Sequence, residues 1–379
     1  MRRRILATAV TVTAAMVLAG AALAADPVRI GVAAPFTGAA AGYGRDAKMG
    51  AEMAAAEINA AGGILGGRQI ELVYEDDKGT PQGGVAAVQK LMSEHRVQAI
   101  TGGTNSSVVL AETSVTKNRI LQVNAAAQAD AITEQGSKWL FQINNTASAN
   151  SEAFNGYITG TLKPKTVAYM GENSEFSKAL LAGLRKSLEA AGIPLVNVAT
   201  YDANITDFTS IISKVKASEP ELLYVADAYP ARSAQLWKQI RQQGGFPVET
   251  QAPGVVQASM LTPAEGAMDG VITGDIFIAE GNTGPMADFV EAFRKSHQAE
   301  PNKVHLVTYE AVQVIARAMD KAGSADDYDL IAKTIRTNPW PSPRGELTFD
   351  DRGRARAPQF YIHEVKDGRL TLRETIENR

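Results

Sequence analysis

The chain has 379 residues, 45% hydrophobic and 21% charged, with a formal charge of −3, the balance of a soluble globular protein with more than one core. A mildly acidic chain without a basic stripe excludes a nucleic-acid binder. Zero cysteines exclude a disulfide framework and a lipidated N-terminal cysteine.

The chain opens MRRRILATAVTVTAAMVLAGAALAADP, in which three arginines precede an apolar stretch that ends at Ala22-Leu23-Ala24. This is the pattern of a secretory signal peptide, residues 1–25, cut after Ala24 or Ala25. The paired arginines leave the twin-arginine export route open. Loss of Arg2, Arg3 and Arg4 with it takes the formal charge from −3 to −6. A periplasmic protein, free of the membrane, is expected. No second run of eighteen apolar residues occurs, so no span is predicted.

From Val28 short apolar runs alternate with longer amphipathic stretches, the sign of βαβ units around a parallel sheet. VRIGVAAPF reads as a buried strand. AKMGAEMAAAEINAAGG reads as a helix with Ala47, Ala51, Ala54, Ala55 and Ile58 on one face and a stop at Gly62-Gly63. QIELVYEDD is a strand, and TPQGGVAAVQKLMSEH a helix with Thr80 as N-cap and Pro81 at its first position. VQAITGG is a third strand, followed by a helix, LAETSVTKN. The acids Glu75, Asp76 and Asp77 end a strand beside a turn, where carboxylates cap and solvate more often than they bind metal.

The pattern restarts with TVAYMGE, SKALLAGLRKSLEAAG, PLVNVATYD, FTSIISKVKAS, ELLYVAD and ARSAQLWKQIRQQGG, which suggests a second, similar lobe. A third block, GVITGDIFIAE, MADFVEAFRKSHQAE and VTYEAVQVIARAMDKAG, has too few strands for a domain and is expected to complete one of the lobes. The tail from ELTFDDRG alternates around turns and reads as antiparallel. The fold class is α/β, two lobes with parallel-sheet cores.

The chain lacks GxSxG, HExxH, GxxxxGK[ST] and calcium-loop patterns. His95, His297, His305 and His363 lie far apart in polar surroundings. Gly42 to Ala47 mimics a dinucleotide fingerprint, but it starts too far past its strand for the required tight turn. No metal or cofactor is expected.

One stretch, TGGTNSSVV at 101–109, joins a strand end to a helix start. Helix N-terminal amides are unpaired and sit at the positive end of the dipole, so an anion can be held there without a basic side chain. Ser106 and Ser107 add hydroxyl donors. The same residues are compatible with a purely structural N-cap, or with a nucleophile, which would need a base that is not nearby in sequence. A second strand end, ILQVNAAAQAD, carries Asn124 to Ala127 and Gln128 into the same crevice, because ligands in open parallel sheets lie beyond the strands' carboxyl ends.

The segment YGRDAKMGAEMAAAEINAAGGILGGRQIELVYEDD, 43–77, together with KVKASEPELLYVAD, VTYEAVQVIARAM and PRGELTFDDRG, resembles the periplasmic solute-binding proteins of ABC importers, in their leucine/isoleucine/valine-binding branch. The resemblance implies a type I periplasmic binding protein fold. Its lobes would be residues 26–146 with 275–355, and 147–274 with 356–379, joined by three crossings that hinge on a ligand. It also implies delivery to an inner-membrane permease, no catalysis, and a monomer. By that resemblance Ser106 matches the serine that holds the ligand's carboxylate, Ala126 a backbone contact, and Tyr43 an aromatic touching the ligand's side chain. Gln128 stands for a threonine, Phe176 for a tyrosine, and Ala228, with Tyr229 next to it, for another. The family's ammonium-pairing glutamate falls on Gly254.

A buried ammonium without a carboxylate is costly, so an amino-acid ligand would need Asp227, with Glu172 behind it. Otherwise a small or aromatic carboxylate, or an amide, is the better ligand. A sensory receptor module of the same fold and an exported serine hydrolase using Ser106 are the competing readings.

Overall fold

The computed structural model describes residues 26–281, 283–356 and 359–377, so the expected signal peptide lies outside the described residues. The first half alternates as its periodicity predicts: β1 (Val28–Ala34), α1 (Ala41–Ala60), β2 (Ile70–Asp76), α2 (Pro81–Ser93), β3 (Ala99–Gly102), α3 (Ser106–Thr116), β4 (Leu121–Asn124) and β5 (Leu140–Gln142). These strands form one parallel sheet in the order β2-β1-β3-β4-β5. The five apolar positions expected on one face of α1 are all buried, and Thr80 caps α2 by accepting from the Gly83 amide at 3.1 Å.

The second sheet follows from α4 (Ala147–Tyr157), β6 (Val167–Glu172), α5 (Glu175–Ala191), β7 (Leu195–Tyr201), α6 (Thr209–Lys216), β8 (Leu222–Ala226), α7 (Pro230–Gln242), β9 (Val248–Gln251), α8 (Ala258–Ala264) and β10 (Ile272–Asp275). The chain continues through α9 (Pro285–His297), α10 (Lys303–Ala322), α11 (Tyr328–Thr337), β11 (Trp340–Ser342), β12 (Gly345–Phe349), β13 (Ala355–Arg356), β14 (Gln359–Lys366) and β15 (Arg369–Glu377). The second sheet runs β15-β14-β10-β9-β8-β6-β7; β14 is antiparallel to β10 and β15 antiparallel to β14, so the tail forms antiparallel pairs as its alternation predicts.

The third block does not complete a single lobe. Its strand β10 pairs with β9 in the second sheet, whereas α9 and α10 pack on α1 of the first. The chain therefore passes between the sheets three times, after β5, β10 and β13.

Each lobe is held by its own apolar filling. In the second, Tyr169, Tyr224, Trp237 and Phe154 are fully buried, each side chain of this size contributing about 1.5–3 kcal/mol by leaving water. The indole of Trp237 donates to Gln251 Oε1 at 2.8 Å, so its polar atom is satisfied.

Two helices begin earlier than periodicity suggests. α1 starts at Ala41, so Gly42 to Ala47 form its first turns rather than a phosphate loop. A Cβ on Gly44 would stand 2.1 Å from the Pro35 carbonyl oxygen, which shows that the helix start is pressed onto the end of β1. α3 starts at Ser106, which places both serines inside its first turn and makes Asn105 the cap.

β5, α4, β9 and α8 have no clear sequence signal, being short or polar on several sides, whereas α11 carries a cap at Asp327 and an apolar face of Ile331, Ala332 and Ile335 that periodicity could have found. The strand-end acids serve their turn: Asp76 accepts from the Phe36 and Lys78 amides at 2.9 Å, and Glu75 pairs with Lys90 at 2.7 Å.

Candidate functional site

In each sheet the strand order reverses at one place, between β1 and β3 in the first and between β6 and β8 in the second. A crevice must open outside the strand ends at such a point. The two crevices face each other and enclose a cavity of about 50 Å³. This exceeds the space of a single water but is well short of the ~150 Å³ that admits benzene. Its walls belong to opposite lobes, so its volume is set by how far they close.

The loops that follow β3 and β4 give the first wall a neutral stretch. At Gly102 and Gly103 the backbone has φ of +105° and +72°, a conformation that turns the chain out of β3 and that glycine reaches without a Cβ penalty. Asn105 then caps α3 by accepting from the Ser107 amide at 3.0 Å. Ser106 is buried, and its Oγ accepts from the Gln128 amide at 3.3 Å and the Ala129 amide at 3.2 Å. A hydroxyl has two lone pairs and one proton. With both lone pairs engaged, Ser106 has only its O–H to offer a ligand, and it does so at the positive end of a helix.

Ala126 also lines the cavity, but its N–H donates to Gly103 O at 3.1 Å and its carbonyl accepts from Asn144 Nδ2 at 2.7 Å. The N–H of the expected backbone contact is thus spent inside the lobe, while the carbonyl retains its second lone pair. Gln128 accepts from Asn150 Nδ2 at 2.5 Å and donates to Gly254 O at 3.5 Å. Ser107 does not line the cavity; its amide serves the cap.

The second wall is charged. Asp227 is fully buried and saturated: Arg232 Nε donates to it at 2.6 Å, Arg232 Nη2 at 2.9 Å, Tyr201 Oη at 3.0 Å and the Tyr229 amide at 2.9 Å. It does not line the cavity. The expectation that Asp227 faces a ligand with Glu172 behind it is therefore reversed. Glu172 stands at the wall, and Asp227 lies behind it, consumed by the guanidinium that α7 presents five residues on.

Glu172 also binds Arg232, and receives only long contacts from Ser174 Oγ at 3.2 Å and the Ala228 amide at 3.4 Å. Two carboxylates thus share one guanidinium. Burial and the neighbouring Asp227 push Glu172 up to about 7, against the pull of Arg232. Burial would lower Arg232, but its bonds and charge pairing with Asp227 and Glu172 outweigh that and raise it. Phe176 and Tyr229 complete this wall, and Arg232 lies 4.5 Å from the centre of the Tyr229 ring.

Four side chains bind across the cleft. Tyr43 Oη donates to Ala228 O at 2.7 Å, Asn105 Nδ2 to Tyr229 Oη, and both Gln128 and Lys303 donate to Gly254 O. Tyr43 therefore lines the cavity and also bridges the lobes.

Lys303 was not singled out by the sequence. It is the first residue of α10, capped by Asn302, and it is buried at the cavity wall. Burial pushes its ammonium down, with Asp275 opposing at 4.0 Å. Asn302 ahead of a long apolar-periodic helix was a legible cap signal, and it puts a cation where the dipole disfavours one.

The chain is similar to known proteins over nearly all of its described length. A family model described as "Periplasmic binding protein" matches residues 27–369. A leucine-, isoleucine-, valine-, threonine- and alanine-binding protein of Pseudomonas aeruginosa is 30% identical over 356 residues, 93% of this chain and 94% of the relative. The crystal structure of a leucine-binding protein of Thermotoga maritima superposes with a TM-score of 0.86 at 22% identity, over 92% of this chain and 99% of that one. A solute-binding protein of an ABC transporter from R. palustris, in complex with benzoate, does so at 0.85 and 19% identity, over 93% and 97%. At these identities the two structures establish the shared two-lobe fold.

Proposed function

The chain belongs to the periplasmic binding protein family, and on that premise we propose that it is exported, captures a small carboxylate or amide, an amino acid among them, between its lobes, and delivers it to an ABC permease of the inner membrane. The observation that carries this reading is the Ser106 hydroxyl, stripped of acceptor capacity by two backbone amides and aimed from a helix N-terminus into an enclosed cavity between lobes. Such a group donates to an anionic or carbonyl oxygen.

The same two amides argue against catalysis by Ser106. A nucleophile needs a free lone pair and a base to take its proton, and here both lone pairs are engaged. We read the protein as a carrier that performs no chemistry. The cross-lobe bonds of Tyr43, Asn105, Gln128 and Lys303 support hinge closure as the capture step, since each can form only when the lobes meet.

Titration calorimetry of the mature protein against amino acids, aliphatic and aromatic carboxylates and amides tests the reading. Saturable binding of at least one class, weakened about tenfold or more in Ser106→Ala, is expected. Failure of every small solute to bind would overturn it.

A further inference from the structure

Gly254, with φ of +73°, is where the family resemblance places an acid that pairs with a ligand's ammonium. A Cβ built there would lie 2.5 Å from Lys303 Nζ and 3.1 Å from Gln128 Nε2. The space that a side chain at 254 would enter is thus occupied by an ammonium group delivered from α10. The charge of this corner is reversed relative to the one the resemblance implies, and the glycine makes room for the reversal.

Lys303 is poorly satisfied by the protein alone. Of its three donors, one reaches the Gly254 carbonyl oxygen, and Asp275 at 4.0 Å is a charge neighbour beyond hydrogen-bonding distance. It is buried, it lines the cavity, and it stands at the positive end of a twenty-residue helix, where the dipole adds to its cost. A cation held at such a place is stabilised by an anion that arrives from the cavity.

Resting on the capture reading above, we infer that Lys303 is a ligand-binding and specificity-determining residue that takes the solute's carboxylate together with Ser106, and that the protein selects carboxylates without an α-ammonium group. In an α-amino acid the ammonium is one carbon from the carboxylate. Anchoring that carboxylate on Ser106 brings the ammonium into the corner that Lys303 fills, where two cations would face each other in a cavity shielded from water. A carboxylate without that ammonium meets two donors and brings no second cation to that corner. Glu172, across the cavity, then faces the far end of the ligand, where it can accept from a hydroxyl.

Matched pairs that differ only in the ammonium test this by calorimetry: leucine against 4-methylpentanoate, phenylalanine against 3-phenylpropanoate, and glutamate against glutarate. The wild-type mature protein, unfolded and refolded to remove carried ligand, is expected to bind the deaminated member of at least one pair tenfold or more tighter. An amino acid that binds as tightly as its partner, or binding of neither member in all pairs, overturns the inference and leaves the capture reading standing; only failure of every solute class titrated above overturns both. The double variant Lys303→Met/Asp275→Asn removes both buried charges and so keeps the helix start neutral. In it the preferred carboxylate should bind thirtyfold or more weaker while the thermal midpoint stays within a few degrees; unchanged affinity would overturn the role of Lys303.

Discussion

The two walls of the cleft are built at equivalent places, the strand-order reversals of two similar sheets, yet they use opposite chemistry. The first offers neutral donors, the Ser106 hydroxyl and the α3 terminus, with its polar groups fastened by backbone. The second buries two carboxylates on one guanidinium. The dipoles of the first wall's neutral stretch hold an anion at small desolvation cost, and the charge buried beside them on the same lobe, Lys303, is a cation. A wall of charges is rigid only while every member is paired. The first wall is thus suited to gripping a ligand, the second to resisting deformation and presenting one acid, Glu172.

Removing the cation should break this comparison most severely. Arg232→Met leaves Asp227 and Glu172 buried without a cation, and unfolding in urea should report a loss of about 3–5 kcal/mol. An unchanged midpoint would show that the second wall does not depend on its guanidinium.

On the first wall, Ser106→Ala removes the only donor that Ser106 offers and leaves the Gln128 and Ala129 amides unpaired. Affinity for a carboxylate should fall by about 1.5–3 kcal/mol in calorimetry. Ser107→Ala, beside it but outside the cavity, should change affinity by less than about 0.5 kcal/mol. Equal effects of the two would mean that the helix terminus, not the hydroxyl, holds the ligand.

The charged wall also carries a pH signature. Glu172 rises from 4.5 unfolded to about 7 folded, so between those values the folded state holds more protons and stability falls as pH rises. His363, pressed by burial from 6.5 down to about 4, acts in the opposite sense over much of that window, its stabilisation being lost on acidification. The wild-type curve therefore mixes both slopes. The difference between Glu172→Gln and wild type isolates the first, at most about 1.4 kcal/mol per pH unit for one proton. Parallel curves for the two proteins between pH 4.5 and 7 would refute the assignment.

The smallest effect belongs to the closure itself. Tyr43→Phe deletes the bond to Ala228 O across the cleft and should weaken binding by about 0.5–1.5 kcal/mol, with a larger radius in small-angle scattering for the liganded protein. If the radius stays the same, the remaining cross-lobe bonds suffice to hold the lobes.

The sequence carried the α/β alternation, the Thr80 cap, the buried face of α1, and the nearness of Ser106 to Gln128, because each depends on local periodicity, turn chemistry or strand-end placement. It mistook the order of Glu172 and Asp227, since Arg232 binds both and it is Asp227 that the Tyr201 hydroxyl and the Tyr229 amide also saturate, away from the cavity. The Asn302 cap ahead of α10 was readable, but its consequence for Lys303 was not.

What the sequence alone determined is therefore the fold class and the placing of the serine loop at a strand end beside Gln128, both products of short-range pattern. Only the tertiary structure decided the charge of the pocket. Lys303 and Gly254 are separated by 49 residues, and Asp227 and Glu172 by strands that meet only through the sheet. Whether a buried charge is spent or available depends on long-range neighbours that no local pattern records.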